Sequence, residues 1–146
     1  MRRATYTFAA LLLSCHAAPP ATPHSVDLNS SPTLGTVADA LPLSTTDVRT
    51  DGRIAKIRGQ VRNPYAEEIE GVRYLIEIVS TTGKQPRTLE SFHQESSQRI
   101  KPGDSTMMRF DLQSMYFGST GAELSIVALP KKLGGHDVAP PSGWNK

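Results

Sequence analysis

Residues 55–63 read Ala-Lys-Ile-Arg-Gly-Gln-Val-Arg-Asn, and in them Ile57, Gly59 and Val61 alternate with Lys56, Arg58, Gln60 and Arg62. A period of two sends successive side chains to opposite sides of an extended backbone, so the stretch predicts a half-buried strand and not a helix. Residues 71–80 repeat the pattern, with Val72, Tyr74, Ile76 and Ile78 on one face and Arg73 and Glu77 on the other. Both segments predict antiparallel strands with one face in water.

The same reading extends outward in both directions. Val37 to Leu43 is expected to form an opening strand. Thr81-Thr82-Gly83-Lys84 supplies a turn before a weaker strand, Arg87 to Gln94, with Leu89 and Phe92 on opposite faces. Lys101-Pro102-Gly103-Asp104 places Pro and Gly at the central positions of a type II turn, where Pro presets the first dihedral and Gly tolerates the positive one. Ser105 to Leu112 follows with Met108, Phe110 and Leu112 inward, then Ala122 to Leu129 with Leu124, Ile126 and Ala128 inward. Leu112 to Phe117 is the best candidate for a short helical piece. About seven short strands separated by turns predict an all-β domain over residues 36–133, an immunoglobulin-like antiparallel β-sandwich.

The ends are different. Arg2 and Arg3 precede a short apolar stretch, Ala4 to Leu13, and Leu12-Leu13-Ser14-Cys15 resembles a bacterial lipobox. The apolar run is too short for a bilayer core, which needs about 20 residues. The resemblance implies a signal peptide over residues 1–14, cleavage after Ser14 and diacylglycerol on the Cys15 sulfur. Ordinary secretion and a cytoplasmic chain are the alternatives. Residues 15–35 are rich in Ala, Pro, Ser and Thr, with little to bury, and are expected to form a flexible tether. Residues 134–146, with two prolines and three glycines, are expected to be a disordered tail in which Trp144 is the one side chain able to dock.

Charge excludes one class of partner. Arg2 and Arg3 belong to the leader, and the other 14 of the 16 Lys and Arg balance 14 Asp and Glu. A neutral mature chain gives no electrostatic basis for nucleic-acid binding. Cys15 is the single cysteine, so no disulfide is expected, and a domain of about 100 residues can bury a sufficient core without one.

Gly59-Gln60-Val61-Arg62-Asn63, an alternating strand ending at Gly83, and Ile100-Lys101-Pro102-Gly103 followed by Phe110 together resemble the FxLyD domain of exported prokaryotic proteins, over residues 48–130. The family's signature Phe, Leu, Tyr and Asp fall on Ile76, Ile78, Val79 and Ser80. The resemblance implies an immunoglobulin-like fold and says little about chemistry.

Reactive groups that could converge are sparse. His16 and His24 lie in the tether, His136 in the tail, and His93 in the weak strand with no second imidazole at metal-ligand spacing. Glu67, Glu68 and Glu70 cluster in a loop without the regular oxygen pattern of a calcium site. Gly118-Ser119-Thr120-Gly121 lacks the Lys and helix of a phosphate loop. No catalytic residue, metal or cofactor is expected. Lys56, Arg58 and Arg62 share one face of a strand and form a positive stripe, with Glu77 expected opposite.

These readings predict a lipid-anchored envelope protein without catalysis, acting as a protein-binding or assembly module. The alternative is carbohydrate or lipid-headgroup binding through the basic strand face. The membrane would be engaged through the N-terminal lipid. His16 after Cys15, in place of Asp, resembles lipoproteins sent to the outer membrane and facing the periplasm.

Overall fold

The computed structural model describes residues 26–118 and 121–145. The signal peptide, Cys15, His16, His24 and residues 15–25 of the expected tether lie outside the described residues. Six strands of nine or more residues form two layers: β4 (Leu43–Asp51), β5 (Ile54–Arg62), β6 (Ile69–Ser80), β7 (Arg87–Ile100), β8 (Ser105–Gln113) and β9 (Ala122–Leu133). Short strands β1 (Val26–Leu28), β2 (Ser30–Ser31), β3 (Gly35–Thr36) and β10 (His136–Asp137) complete the set. One layer runs β4-β5-β8, the other β1-β9-β6-β7 with β10 also on β9, and all pairings between the long strands are antiparallel. The fold is an all-β, immunoglobulin-like sandwich. In immunoglobulin lettering β4, β5 and β8 take the places of A, B and E, while β6, β7 and β9 take those of C, C′ and F. The place beside F that strand G fills is shared by β1, running parallel to β9, and by β10.

The core lies between the layers. Ala55, Ile57 and Val61 from β5 and Met108, Phe110 and Leu112 from β8 meet Tyr74, Ile76 and Ile78 from β6 and Leu124, Ile126 and Ala128 from β9. The Tyr74 and Phe110 rings cross edge to face at 4.9 Å between the sheets. The alternation in β5 and β8 is complete, so the expected inward sets are the observed ones.

In β6 and β9 both faces are buried. Leu75, Val79, Val127 and Leu129 point away from the main core, yet none is exposed. Trp144 covers Leu75, Val127 and Leu129, with Leu34, Val37 and Ala40 packed around them. This second cluster corrects three expectations. The outer face of β6 is not wet, because apolar side chains there require cover. Residues 26–35, expected as tether, are paired or docked instead, and Ser31 is buried. The tail docks through Trp144 and through β10.

Other differences are local. Residues 37–42 form no strand; Leu41 instead drops into the main core with its amide on the Ala128 carbonyl, and the opening strand starts at Leu43. Leu89 and Phe92 both pack on the main core, because a bulge between the Ile78 and Val79 pairings inserts Leu89 as an extra residue. Leu112 to Phe117 contains the end of β8 and a turn, with no helix. No helix long and apolar enough to cross a membrane occurs among the described residues.

Two polar residues hold the architecture together. Asn63 is fully buried; its Nδ2 donates to the carbonyls of Glu67 and Ile100, both at 2.8 Å, and its Oδ1 accepts from the Tyr65 amide at 2.9 Å. Its backbone pairs with Asp104 and Gly103, so it fastens the loop after β5 to the Lys101–Asp104 turn. Glu77, also fully buried, accepts hydroxyl hydrogen bonds from Ser31, Thr33 and Thr88. Ser31 Oγ in turn accepts the amides of Thr33 and Leu34, which shapes the β2–β3 turn above it.

Asn63→Ala orphans two carbonyls and an amide and should cost about 3 kcal/mol or more, read as a lower midpoint in urea unfolding with unchanged slope. Glu77→Ala should cost about 2–3 kcal/mol and remove hydrogen-exchange protection from residues 30–36, whereas Glu77→Gln, which still accepts hydroxyls, should keep most of it. Equal protection in Glu77→Ala and the parent would refute the clasp.

Candidate functional site

The outer face of the β4-β5-β8 sheet carries the expected stripe. Strict alternation leaves Ile54, Lys56, Arg58, Gln60 and Arg62 of β5 facing water. The register sets their neighbours: Arg58 lies between Asp47 of β4 and Arg109 of β8, and Lys56 between Arg49 and Asp111. Two like-charge pairs, Lys56 with Arg49 and Arg58 with Arg109, therefore sit directly opposite each other, an arrangement that costs stability. Carboxylates temper the field: Asp47 binds Arg49 at 3.0 Å and Asp111 lies 3.9 Å from Arg109. Lys56, Arg58 and Arg62 have no ion pair among the described residues. Glu77 is not their partner, since it belongs to the other sheet and is buried there; the flanking acids are Asp47 and Asp111.

The same face exposes apolar surface. Ile54 is 44% and Met107 57% exposed, and Met107 sits opposite Gln60 in the register. Sequence alternation predicts that these side chains point outward, but it orders residues along one strand only. The contributions of Arg49, Arg109, Met107 and the acids needed the cross-strand register, which a strand's own sequence does not specify.

The remaining candidates are placed in structural roles. His93 meets Trp144 edge to face at 5.6 Å on the outer face of β7. Glu68 and Glu70 bracket Arg99 at 3.6 and 3.4 Å, and Glu67 lies against Gly134. No group of three His, Cys, Asp or Glu side chains able to share a metal occurs among the described residues. Ser119 and Thr120 lie outside the described residues. Tyr74 lines a recess between β7 and β8, and burial pushes its hydroxyl up to about 12, so it keeps its proton at neutral pH. Lys131 donates to Glu95 at 2.6 Å, and that hydrogen bond holds the Glu95 carboxyl below its usual range despite exposure.

A concavity of about 460 Å³ opens on the opposite side of the sandwich, between the β2–β3 hairpin and the loop after β6. Asp27, Glu123, Ser125, Val79, Pro32 and Pro86 are among its lining residues. Sequence reading missed it because Asp27, Ser30, Ser31, Pro32 and Gly35 of its wall come from the segment expected to be tether.

No protein-family model matches the chain, and no characterised protein matches it by sequence. Among solved structures the chain is similar to the trimeric lipoprotein SadB of Salmonella enterica, with TM-score 0.48 and 8% identity, over 66% of this chain and 53% of that one. The chain thus spans about half the length of that protein. It is also similar to cj0090 of Campylobacter jejuni, with TM-score 0.36 and 15% identity, over 70% of this chain and 96% of that one. A β-glucosidase from Kluyveromyces marxianus is similar with TM-score 0.36 and 12% identity, over 66% of this chain and 14% of that one. None of these likenesses assigns an activity, a ligand or a partner to the chain.

Proposed function

We propose that the protein is a lipid-anchored cell-envelope lipoprotein whose sandwich is a non-catalytic module that binds a protein partner through the outer face of the β4-β5-β8 sheet. The observation that carries this reading is the exposure of Ile54 and Met107 among Arg49, Arg58 and Arg109 on one flat face. Arg and Met are enriched where proteins meet, and large apolar side chains in water gain free energy on being covered. The quoted FxLyD motifs are in keeping with such a role: Gly59, Asn63 and the Pro102-Gly103 turn are scaffold positions that leave the outer face free to vary.

Localisation in this reading rests on Cys15. Acyl chains on its sulfur contribute roughly 0.8 kcal/mol per buried methylene, and stable residence takes more than one chain. From Cys15 to Val26 the backbone can reach at most about 40 Å, which bounds how far the sandwich stands from the bilayer. His16 after Cys15 favours the outer membrane, with the domain in the periplasm.

A second reading has its own support. The like-charge pairs Lys56/Arg49 and Arg58/Arg109 would be relieved by bound phosphate or carboxylate, as on anionic glycans or lipid headgroups.

Three outcomes are expected. Intact-mass measurement of the mature protein should place its N-terminus at Cys15 with diacylglycerol attached, and Cys15→Ser should leave the precursor unprocessed; a mature chain that retains Met1 or begins beyond Cys15 would overturn the anchor. A photo-crosslinker at Met107 in cells should yield one discrete protein adduct that disappears in the Ile54→Asp, Arg58→Glu variant. Salt-sensitive retention on anionic vesicles, with no adduct, would favour the second reading instead. Arg109→Glu turns the like-charge pair with Arg58 into an opposite one but exchanges the Asp111 ion pair for a repulsion, so folding stability should change by no more than about 0.5 kcal/mol while binding weakens. A clear loss of stability in chemical denaturation would mean that the face is structural.

A further inference from the structure

On the far side of the sandwich from the basic face, we propose that the concavity between the β2–β3 hairpin and the Thr81–Pro86 loop is a binding site for an organic cation, an ammonium or guanidinium group on a short apolar chain. The inference is independent of the protein-binding reading, because the two surfaces belong to different sheets.

Register builds one wall. Asp27 of β1 pairs with Ser125 of β9, and Glu123 precedes Ser125 by two residues on the same strand face. Val26 and Leu28 pack on the main core, which turns Asp27 outward. Asp27 and Glu123 are therefore diagonal neighbours on adjacent parallel strands, with backbone positions about 8 Å apart from the strand spacing and the rise per residue, so their like charges repel. Neither has an ion-pair partner among the described residues, and no Lys or Arg lines the cavity. Pro32 of the hairpin and Pro86 of the loop also line the cavity, and Val79 lies directly across from Glu123 on β6, on the same sheet face as the acids. A cavity of about 460 Å³ lies in the range that small ligands occupy, and its chemistry is an acid pair facing an aliphatic surface.

The walls are held in place before any ligand arrives. Ser125 Oγ donates to the Ser30 carbonyl, and Ser31 and Thr33 donate to buried Glu77, so the hairpin is fixed above the sheet. Thr81 bonds the Gly121 carbonyl through both its amide and its hydroxyl, which fixes the start of the other wall. A divalent metal fits poorly, since among the described residues no third His, Cys, Asp or Glu is close enough to Asp27 and Glu123 to share one. A monovalent cation between them relieves the repulsion, and its alkyl chain can lie on the two prolines. That pairing selects amphipathic cations over neutral or anionic molecules of the same size.

The test titrates the full chain in neutral detergent and follows backbone amide shifts. The probes are n-butylammonium, n-butylguanidinium and the amidated peptide Gly-Arg-Gly, with n-butanol and butyrate as comparators. Saturable shifts at Ser31, Gln85 and Ser125 are expected with the cations only, weakened by at least about tenfold in Asp27→Asn, Glu123→Gln and unchanged in Lys101→Glu. Both replaced acids are at least partly exposed, so this variant should fold, and an unchanged thermal midpoint checks that it does. Tighter binding of the butyl cations than of the peptide assigns the site to free amines, and the reverse order assigns it to a basic side chain of a polypeptide. Shifts that fail to saturate, that butanol reproduces, that spread over acidic residues elsewhere, or that persist in the double variant overturn the proposal.

Discussion

Strands β6 and β9 are apolar on both faces, and most of what surrounds the sandwich answers that fact. The inward set Tyr74, Ile76, Ile78, Leu124, Ile126 and Ala128 is covered by the facing sheet. The outward set Leu75, Val127 and Leu129 needs a second cover, and a single-layer cap made from Leu34, Val37, Ala40 and Trp144 supplies it. Each of these aliphatic side chains would lose about 1.5–3 kcal/mol if left in water, which is enough to order segments of weak intrinsic preference. Glu77 sits in the same outward row and shows the complementary constraint. A carboxylate buried there must be hydrogen-bonded, and Ser31 and Thr33 from the covering segment join Thr88 of β7 in supplying three hydroxyl groups.

How much of this was legible depends on whether a segment's partner lies within its own sequence. The alternation in residues 55–62 and 105–112 states both strand and facing direction, and the structure follows it residue by residue. Residues 71–80 hold the same alternation, but Leu75 and Val79 among the supposed polar positions signal a second buried face, and Arg73 and Glu77 masked that signal. Leu43–Asp51 is almost entirely polar, so β4 is ordered by its ladder to β5 and not by any pattern of its own. Residues 26–36 offered no burial large enough to predict order. They gain it from β9, whose free edge accepts β1, the Asn29 and Leu41 amides and, further along, β10.

The Gly-x-Val-x-Asn stretch has a physical explanation in the structure. A β-carbon on Gly59 would come within 2.1 Å of the Ser44 carbonyl oxygen and 2.6 Å of Met108 Cε, so a side chain there would push β4 off the sheet. The close approach occurs beside the bulge between Thr45 and Asp47, where β4 bends across β5. Val61 fills the core two residues on, and Asn63 ties off the strand by bonding three backbone groups, two in the loop after β5 and one at the end of β7. The motif is thus a backbone fit, an anchor and a knot. All three serve the scaffold, which is why the same residues indicate a fold without indicating what the domain binds.

The way the edges are managed narrows where recognition can happen. The open edge of β9 is occupied, and β4 and β7 are interrupted by bulges that break the regular ladder a pairing strand would need. The edges of β7 and β8 approach each other and are tied at both ends, by Ser114 donating to Glu90 and by Thr106 donating to Gln98. An incoming strand would have to displace these contacts before forming its own. Side chains on the flat face of the β4-β5-β8 sheet meet no such obstacle. They stand clear of the backbone in fixed register, and the like-charge pairs among them are a cost that Asp47 and Asp111 reduce without removing. The proposed recognition is therefore assigned to the sheet surfaces and not to extension of the sheets.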